Sequence, residues 1–141
     1  MSLSSSLRLA VAAAALAALA ACASSPQETY AGEGATPLTG SRLKDFAEGT
    51  TLEGKWGAAD FVHYYGVGGS AWNKGTAEKA ETGTWRIAND QLCVKWAQSM
   101  GGAESCYVVL RKGDEARGYD AKGEAAFTAK YKKGDVNRLA G

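Results

Sequence analysis

Gly83-Thr84-Trp85-Arg86-Ile87-Ala88-Asn89-Asp90-Gln91-Leu92-Cys93-Val94-Lys95-Trp96 decides the fold of this chain. Trp85 and Ile87 occupy alternate positions, and so do Leu92, Val94 and Trp96. A period of two marks half-buried strands. Asn89-Asp90 lies between the two runs and has the chemistry of a tight turn. The stretch therefore reads as a hairpin, and its continuation to Cys106 begins a third strand.

Working outward, short runs of aromatic and β-branched residues alternate with glycine-rich punctuation from Thr50 onward. Strands are predicted at 51–55, 60–65, 70–73, 84–88, 91–97, 105–111, 117–120 and 125–131. Turns are predicted at 66–69, 99–102, 112–114 and 122–123; residues 75–83 read either as a strand continuation or as a polar loop. Such short spacing leaves no room for crossover helices, so the sheet is an antiparallel meander. The predicted class is mainly β, a meander curling into a barrel or half-barrel, which protects its edges. One short N-terminal helix is expected at 41–48. Ser41 would cap it, Leu43, Phe46 and Ala47 would form its apolar stripe, and Gly49 would end it. A helix this short needs a surface to lie on, and the sheet supplies one.

Cys93 and Cys106 make a cross-strand pair if they face each other. Val94 then faces Ser105 and Trp96 faces Ala103. Leu92, Val94 and Trp96 share one face with Tyr107 and Val109, while the bridge lies on the other with Val108. The spacing matches no zinc pattern, and the single His is distant, so a structural disulfide is expected and no metal.

The N-terminus carries a different signal. Arg8 precedes a run from Leu9 to Ala21 with no polar side chain. The run is shorter than the roughly 20 apolar residues that span a bilayer, and reads as the apolar core of a signal peptide. Its end, Leu19-Ala20-Ala21-Cys22, resembles the lipobox of bacterial lipoproteins. The resemblance implies that Cys22 is acylated and becomes the mature N-terminus, a lipid anchor to the membrane. Ala23, in place of Asp, implies outer-membrane sorting by the rule of enteric lipoproteins, with the domain facing the periplasm. The expected organisation is a signal peptide at 1–21, a lipidated Cys and flexible tether at 22–40, and a single β domain at 41–141. Removing the leader takes Arg8 with it, so 16 basic side chains become 15 against 15 acidic. A neutral chain has no global pull on nucleic acid, and no nucleic-acid partner is expected.

Leu52-Glu53-Gly54, Phe61 to Tyr65, Gly83-Thr84-Trp85, Leu92-Cys93-x-x-Trp96, Cys106-Tyr107 and Gly113-Asp114 together resemble a family of small exported proteobacterial proteins. That family is catalogued as a domain of unknown function, and many of its members are lipoproteins. The resemblance spans about residues 38–139. It implies export and a compact β domain, and assigns no activity.

No catalytic constellation stands out. His63 shares a strand face with Phe61 and Tyr65, the setting of a packed residue more than of a base. Gly66-Val67-Gly68-Gly69 lies between strands and reads as a turn, not a phosphate loop. No cofactor is expected. The leading expectation is an envelope lipoprotein that acts by binding or structural support, without catalysis. Two sharper alternatives carry named residues. Trp72-Asn73-Lys74-Gly75 resembles the Trp-x-Lys-Gly loop of membrane-bound lysozyme inhibitors, which implies a hydrolase or other envelope-protein partner contacted by Ser70, Trp72 and Lys74 from an exposed hairpin. The bland alternative folds Trp72 back over the sheet. Gly83-Thr84-Trp85 resembles the Gly-x-Trp mark of calycin barrels, which implies a small-ligand binder, although that mark normally lies on a first strand.

Overall fold

The computed structural model describes residues 23–75 and 77–141. The expected signal peptide at 1–21 and Cys22 lie outside the described residues. The elements, in order, are helix α1 (Pro26–Gly32), strand β1 (Thr36–Pro37), helix α2 (Gly40–Ala47), and strands β2 (Thr50–Trp56), β3 (Ala59–Tyr65), β4 (Ser70–Lys74), β5 (Glu81–Ala88), β6 (Gln91–Trp96), β7 (Glu104–Lys112), β8 (Glu115–Tyr119) and β9 (Ala125–Lys133). Each strand from β2 to β9 pairs antiparallel with the next, and β9 pairs back onto β2. The sheet therefore closes into an eight-stranded up-and-down barrel with no free edge.

The hairpin expected at the centre of the sequence is present, turning at Asn89-Asp90. Trp85 opposes Val94 and Ile87 opposes Leu92. Asn89 and Asp90 adopt φ of 51° and 56°, the two left-handed residues of a turn whose twist suits a two-residue hairpin loop. Cys93 opposes Cys106 and the two form a disulfide. Residue 75 and residues 77–80 lie outside any strand, and β5 starts at Glu81.

Alternation fills the interior with Leu52, Phe61, Tyr65, Trp85, Leu92, Val94, Trp96, Val109 and Phe127, all nearly inaccessible. Gly54 lies at the seam between β2 and β9, opposite Ala129. A Cβ there would sit 2.0 Å from the Thr128 carbonyl oxygen, so only glycine allows the strands to approach.

Helix α2 plugs the end of the barrel where β2 begins and β3 and β9 finish. Leu43, Phe46 and Ala47 are its buried stripe, as the spacing predicts. Ser41 is not its cap. The helix begins at Gly40, and Thr39 at the N-cap makes no side-chain bond. Instead the Gly40 N–H donates to Asp90 Oδ1 across 2.8 Å. The acceptor comes from the hairpin turn, so local sequence around the helix could not reveal it. At the other end Lys133 Nζ donates to the carbonyls of Asp45, Phe46 and Glu48. A cation there also opposes the negative end of the helix.

The stretch expected as a flexible tether is ordered from Ser25 onward. Ser25 and Glu28 form a reciprocal capping box on α1, with Pro26 in its first turn. Tyr30 is 2% exposed and packs outside the barrel with Ala35, Leu110 and Tyr119. Its hydroxyl donates to Glu115 Oε1 (2.8 Å), and the Arg117 guanidinium lies 4.0 Å from its ring centre. Strand β1 then pairs with β7 through Thr36–Arg111 and Pro37–Leu110. One buried aromatic with its hydrogen bond and cation–π contact, and a two-residue strand, are enough to hold this arm. Its small-residue composition hides them.

Two stability measurements follow. Gly54→Ala should lower the free energy of unfolding by about 1–3 kcal/mol, because the seam must open to admit one methyl group. Replacing Cys93 and Cys106 together by Ser should cost about 2–4 kcal/mol. Urea unfolding followed by tryptophan emission reads both; unchanged midpoints would contradict the packing described.

Candidate functional site

The barrel end opposite α2 is open. A cavity of about 270 Å³ enters there, lined by Trp56, Ala59, Asp60, Phe61, His63, Asn73, Gly75, Trp96, Ser99 and Met100. The residues come from β2, β3, β4, β6 and the loops that follow them. β2, β4 and β6 contribute the inward-facing side chains nearest their mouth ends, Trp56, Asn73 and Trp96, and β3 contributes Phe61 and the deeper His63, so alternation assembles the site from positions far apart in sequence.

The walls are aromatic. The Trp56 ring centre lies 5.5 Å from that of Phe61 and 4.9 Å from that of Phe127. His63 sits among them, 4.4 Å from Phe61 and 4.7 Å from Trp96 between ring centres. The histidine shares its face with Phe61 and Tyr65, as the sequence indicates, and is 3% exposed. Its Nδ1 lies 2.9 Å from the Tyr65 hydroxyl. Burial drives the His63 pKa down to about 3, against smaller upward pulls from the Asn73 amide and the Glu81 carboxylate. The imidazole is therefore neutral at physiological pH and offers a hydrogen-bonding edge without charge. Burial also pushes the Tyr65 phenol well above its ordinary value. The group against Nδ1 is thus a neutral phenol, not a carboxylate that would make His63 a stronger base.

The rim has its own polar network. Glu81 accepts from the backbone N–H groups of Gln98 and Ser99. It also accepts from the Ser99 hydroxyl at 2.5 Å and from Asn73 Nδ2 at 3.4 Å. Burial raises the Glu81 pKa, but these hydrogen bonds outweigh it and hold the carboxyl below its usual value. Glu81 thereby ties the 97–103 loop to β4 and β5. Met100, at φ 58°, stands on that loop and is 53% exposed at the cavity edge.

Among the named candidates, Ser70, Trp72 and Lys74 occupy alternate positions on β4 and so share its outer face. Trp72 is mid-strand, paired with Tyr64 and Thr82, and not at a hairpin tip. Its ring stacks on Tyr64 at 25° with centres 5.5 Å apart. It lies back over the sheet, and Lys74 is exposed at the strand end. The motif is a patch of barrel wall, not a projecting loop.

Cys93, Glu104 and Cys106 bring potential ligand atoms within 4.8 Å of one another. Both sulfurs are in the disulfide, and Glu104 is bound by Arg86 through Nε (2.9 Å) and Nη2 (2.6 Å). This cluster has no free thiolate to offer a metal.

Trp56, Asn73, Glu81 and Ser99 were not singled out for the mouth by sequence reasoning. Parity was the available signal: Glu81 stands two and four residues from inward-facing Gly83 and Trp85. Comparison of the chain with protein-family models, with curated protein sequences and with solved structures gave no match.

The buried imidazole has a pH signature. Its folded pKa of about 3 lies below the reference of 6.5, so the unfolded chain binds more protons between those values. Stability is therefore full above the unfolded value and is lost as pH falls through this window, by about 1.4 kcal/mol per pH unit. Between pH 6 and pH 4.5 the wild type should lose about 2 kcal/mol more than His63→Gln. Denaturant unfolding at several pH values reads the difference; parallel curves would contradict it.

Proposed function

We propose that this chain is a lipid-anchored bacterial envelope protein whose barrel binds a small, largely apolar ring compound at its open mouth, without catalysis. The observation that carries this reading is the aromatic cavity around neutral, buried His63. Eight-stranded barrels can hold one small ligand. Binding sites commonly combine apolar and aromatic walls with few polar groups. At about 270 Å³ the cavity is smaller than the range of about 300–1,000 Å³ that suits drug-sized ligands. A single ring system with one polar edge matches it. The rings of Trp56, Phe61 and Trp96 would cover the faces of such a ligand. His63 and Asn73 would meet its polar edge.

The anchor reading rests on Leu19-Ala20-Ala21-Cys22 after an uncharged run. Among the described residues the Tyr65 hydroxyl lies against His63 Nδ1 and the Ser99 hydroxyl donates to Glu81, an arrangement that favours binding over turnover.

Titration with indole-sized planar heteroaromatics should give a saturable change in tryptophan emission. His63→Phe should weaken binding about tenfold, the worth of one hydrogen bond in an apolar site. No saturable response to any compound up to millimolar concentration would remove the ligand reading. Separately, a palmitate analogue fed to cells should label the wild type and not Cys22→Ser; equal labelling of both would remove the anchor.

A further inference from the structure

We infer that α1 and β1 hold the mouth of the barrel against the membrane, so that the cavity opens toward the lipid headgroups. The inference rests on the acyl anchor at Cys22 proposed above and adds an orientation to it.

The arm runs along the outside of the barrel from one end to the other. At its start, the Gln27 N–H donates to the Gly123 carbonyl across 3.1 Å. Gly123 belongs to the loop between β8 and β9, which lies on the mouth rim. At its finish, Thr36 pairs with Arg111 near the opposite end of β7. Between these points Tyr30 is buried and bonded to Glu115. The capping box fixes Ser25 itself, with Ser25 N donating to Glu28 Oε2 at 2.9 Å and Glu28 N donating to Ser25 Oγ at 3.2 Å.

Only residues 23–25 separate Cys22 from this docked start. Fully extended, three residues reach on the order of 10 Å. Acyl chains on Cys22 lie in the bilayer, so the mouth rim must stay within about that distance of the surface. The far end of the barrel is held away by the length of β7, nine residues or on the order of 30 Å of tilted strand. A flexible tether of the length first expected would let the domain tumble; the docked arm does not.

The rim suits a close approach. Its 57–58 and 97–103 loops are rich in Gly, Ala and Ser, and the latter presents exposed Met100. At the far end Arg42, Asp45, Arg111, Lys112 and Lys133 border a groove beside α2, while the rim carries Lys55, Lys74 and Lys122. The charges of the groove face away from the membrane in this orientation. A ligand entering the mouth would come from the headgroup layer and not from open solution.

The test uses the full chain, exported and processed by a bacterial host and reconstituted into vesicles of phosphatidylethanolamine and phosphatidylglycerol that carry a headgroup-linked energy acceptor. Lys122→Cys places a fluorophore on the rim, and Lys112→Cys places one at the far end. Labelling without reductant leaves the Cys93–Cys106 bridge intact. The label at 122 should lose most of its emission to the acceptor, and the label at 112 much less. A flexible Gly-Ser insert of about 15 residues after Ala23, spanning on the order of 20 Å, should erase the difference without touching the fold. Equal loss at the two sites in the uninserted protein, or greater loss at 112, overturns the inference. Mass spectrometry of the same sample reads the anchor: an acylated Cys22 with equal losses defeats the orientation alone. No acyl mass and no flotation with vesicles defeats the anchor and the orientation together.

Discussion

Closure of the sheet through β2 and β9 is the constraint on which the rest of the molecule depends. The two strands meet in register from Thr50–Lys133 to Trp56–Phe127. Seven residues near the start of the barrel must find partners near the end of the chain. Without that seam the interior would open along one side, and Leu52, Phe127 and Ala129 would lose their neighbours across it. Long-range pairing of this kind is slow to form, because the intervening chain must be ordered before the contacts reward it. The hairpin around Asn89-Asp90, by contrast, needs only local pairing.

Closure also creates the division between the two ends. Eight strands enclose a space that side chains nearly fill. Helix α2 completes the filling at one end, latched by Asp90 and Lys133. Among the described residues no α-helix fills the other end, where only the short 3₁₀ turn Ser99–Gly102 lies, and the inward positions there carry Trp56, His63, Asn73 and Trp96. A polar residue so deep in an aromatic interior is costly unless neutral and partnered. His63 meets both conditions, through its depressed pKa and the Tyr65 hydroxyl. The mouth is thus the place where the core ends in groups able to contact something other than protein.

Much of this was legible in the sequence. Short aromatic and β-branched runs between glycine-rich turns located every strand from β2 to β9, and alternation set the faces of the central hairpin, because a barrel wall buries one face of each strand and exposes the other. Trp85, Val94 and Trp96 point inward for that reason. The register of Cys93 with Cys106 followed from supposing that the two cysteines pair, as they do. The mouth was harder to see. Its polar residues arrive from separate strands and loops, and no linear spacing unites Asn73, Glu81 and Ser99. The arm at 25–37 was misread as a tether for a compositional reason: Ala, Gly and Thr dominate it, and only Tyr30 offers a large side chain to bury. The signal was nonetheless present, since Ser25-Pro26-Gln27-Glu28 has the spacing of a capping box with proline in its first turn.

That arm has a consequence for synthesis. Its docking partners, Leu110, Glu115, Arg117 and Gly123, all lie in the last third of the chain. The segment that is made first is therefore bound last. Until those residues are made, the arm at 25–37 has none of its docking partners. Completion of β7, β8 and the loop after them supplies them. The order of residues along the chain thus sets a clock, with the arm unsecured while the barrel is incomplete and fixed against its wall once the C-terminal strands arrive.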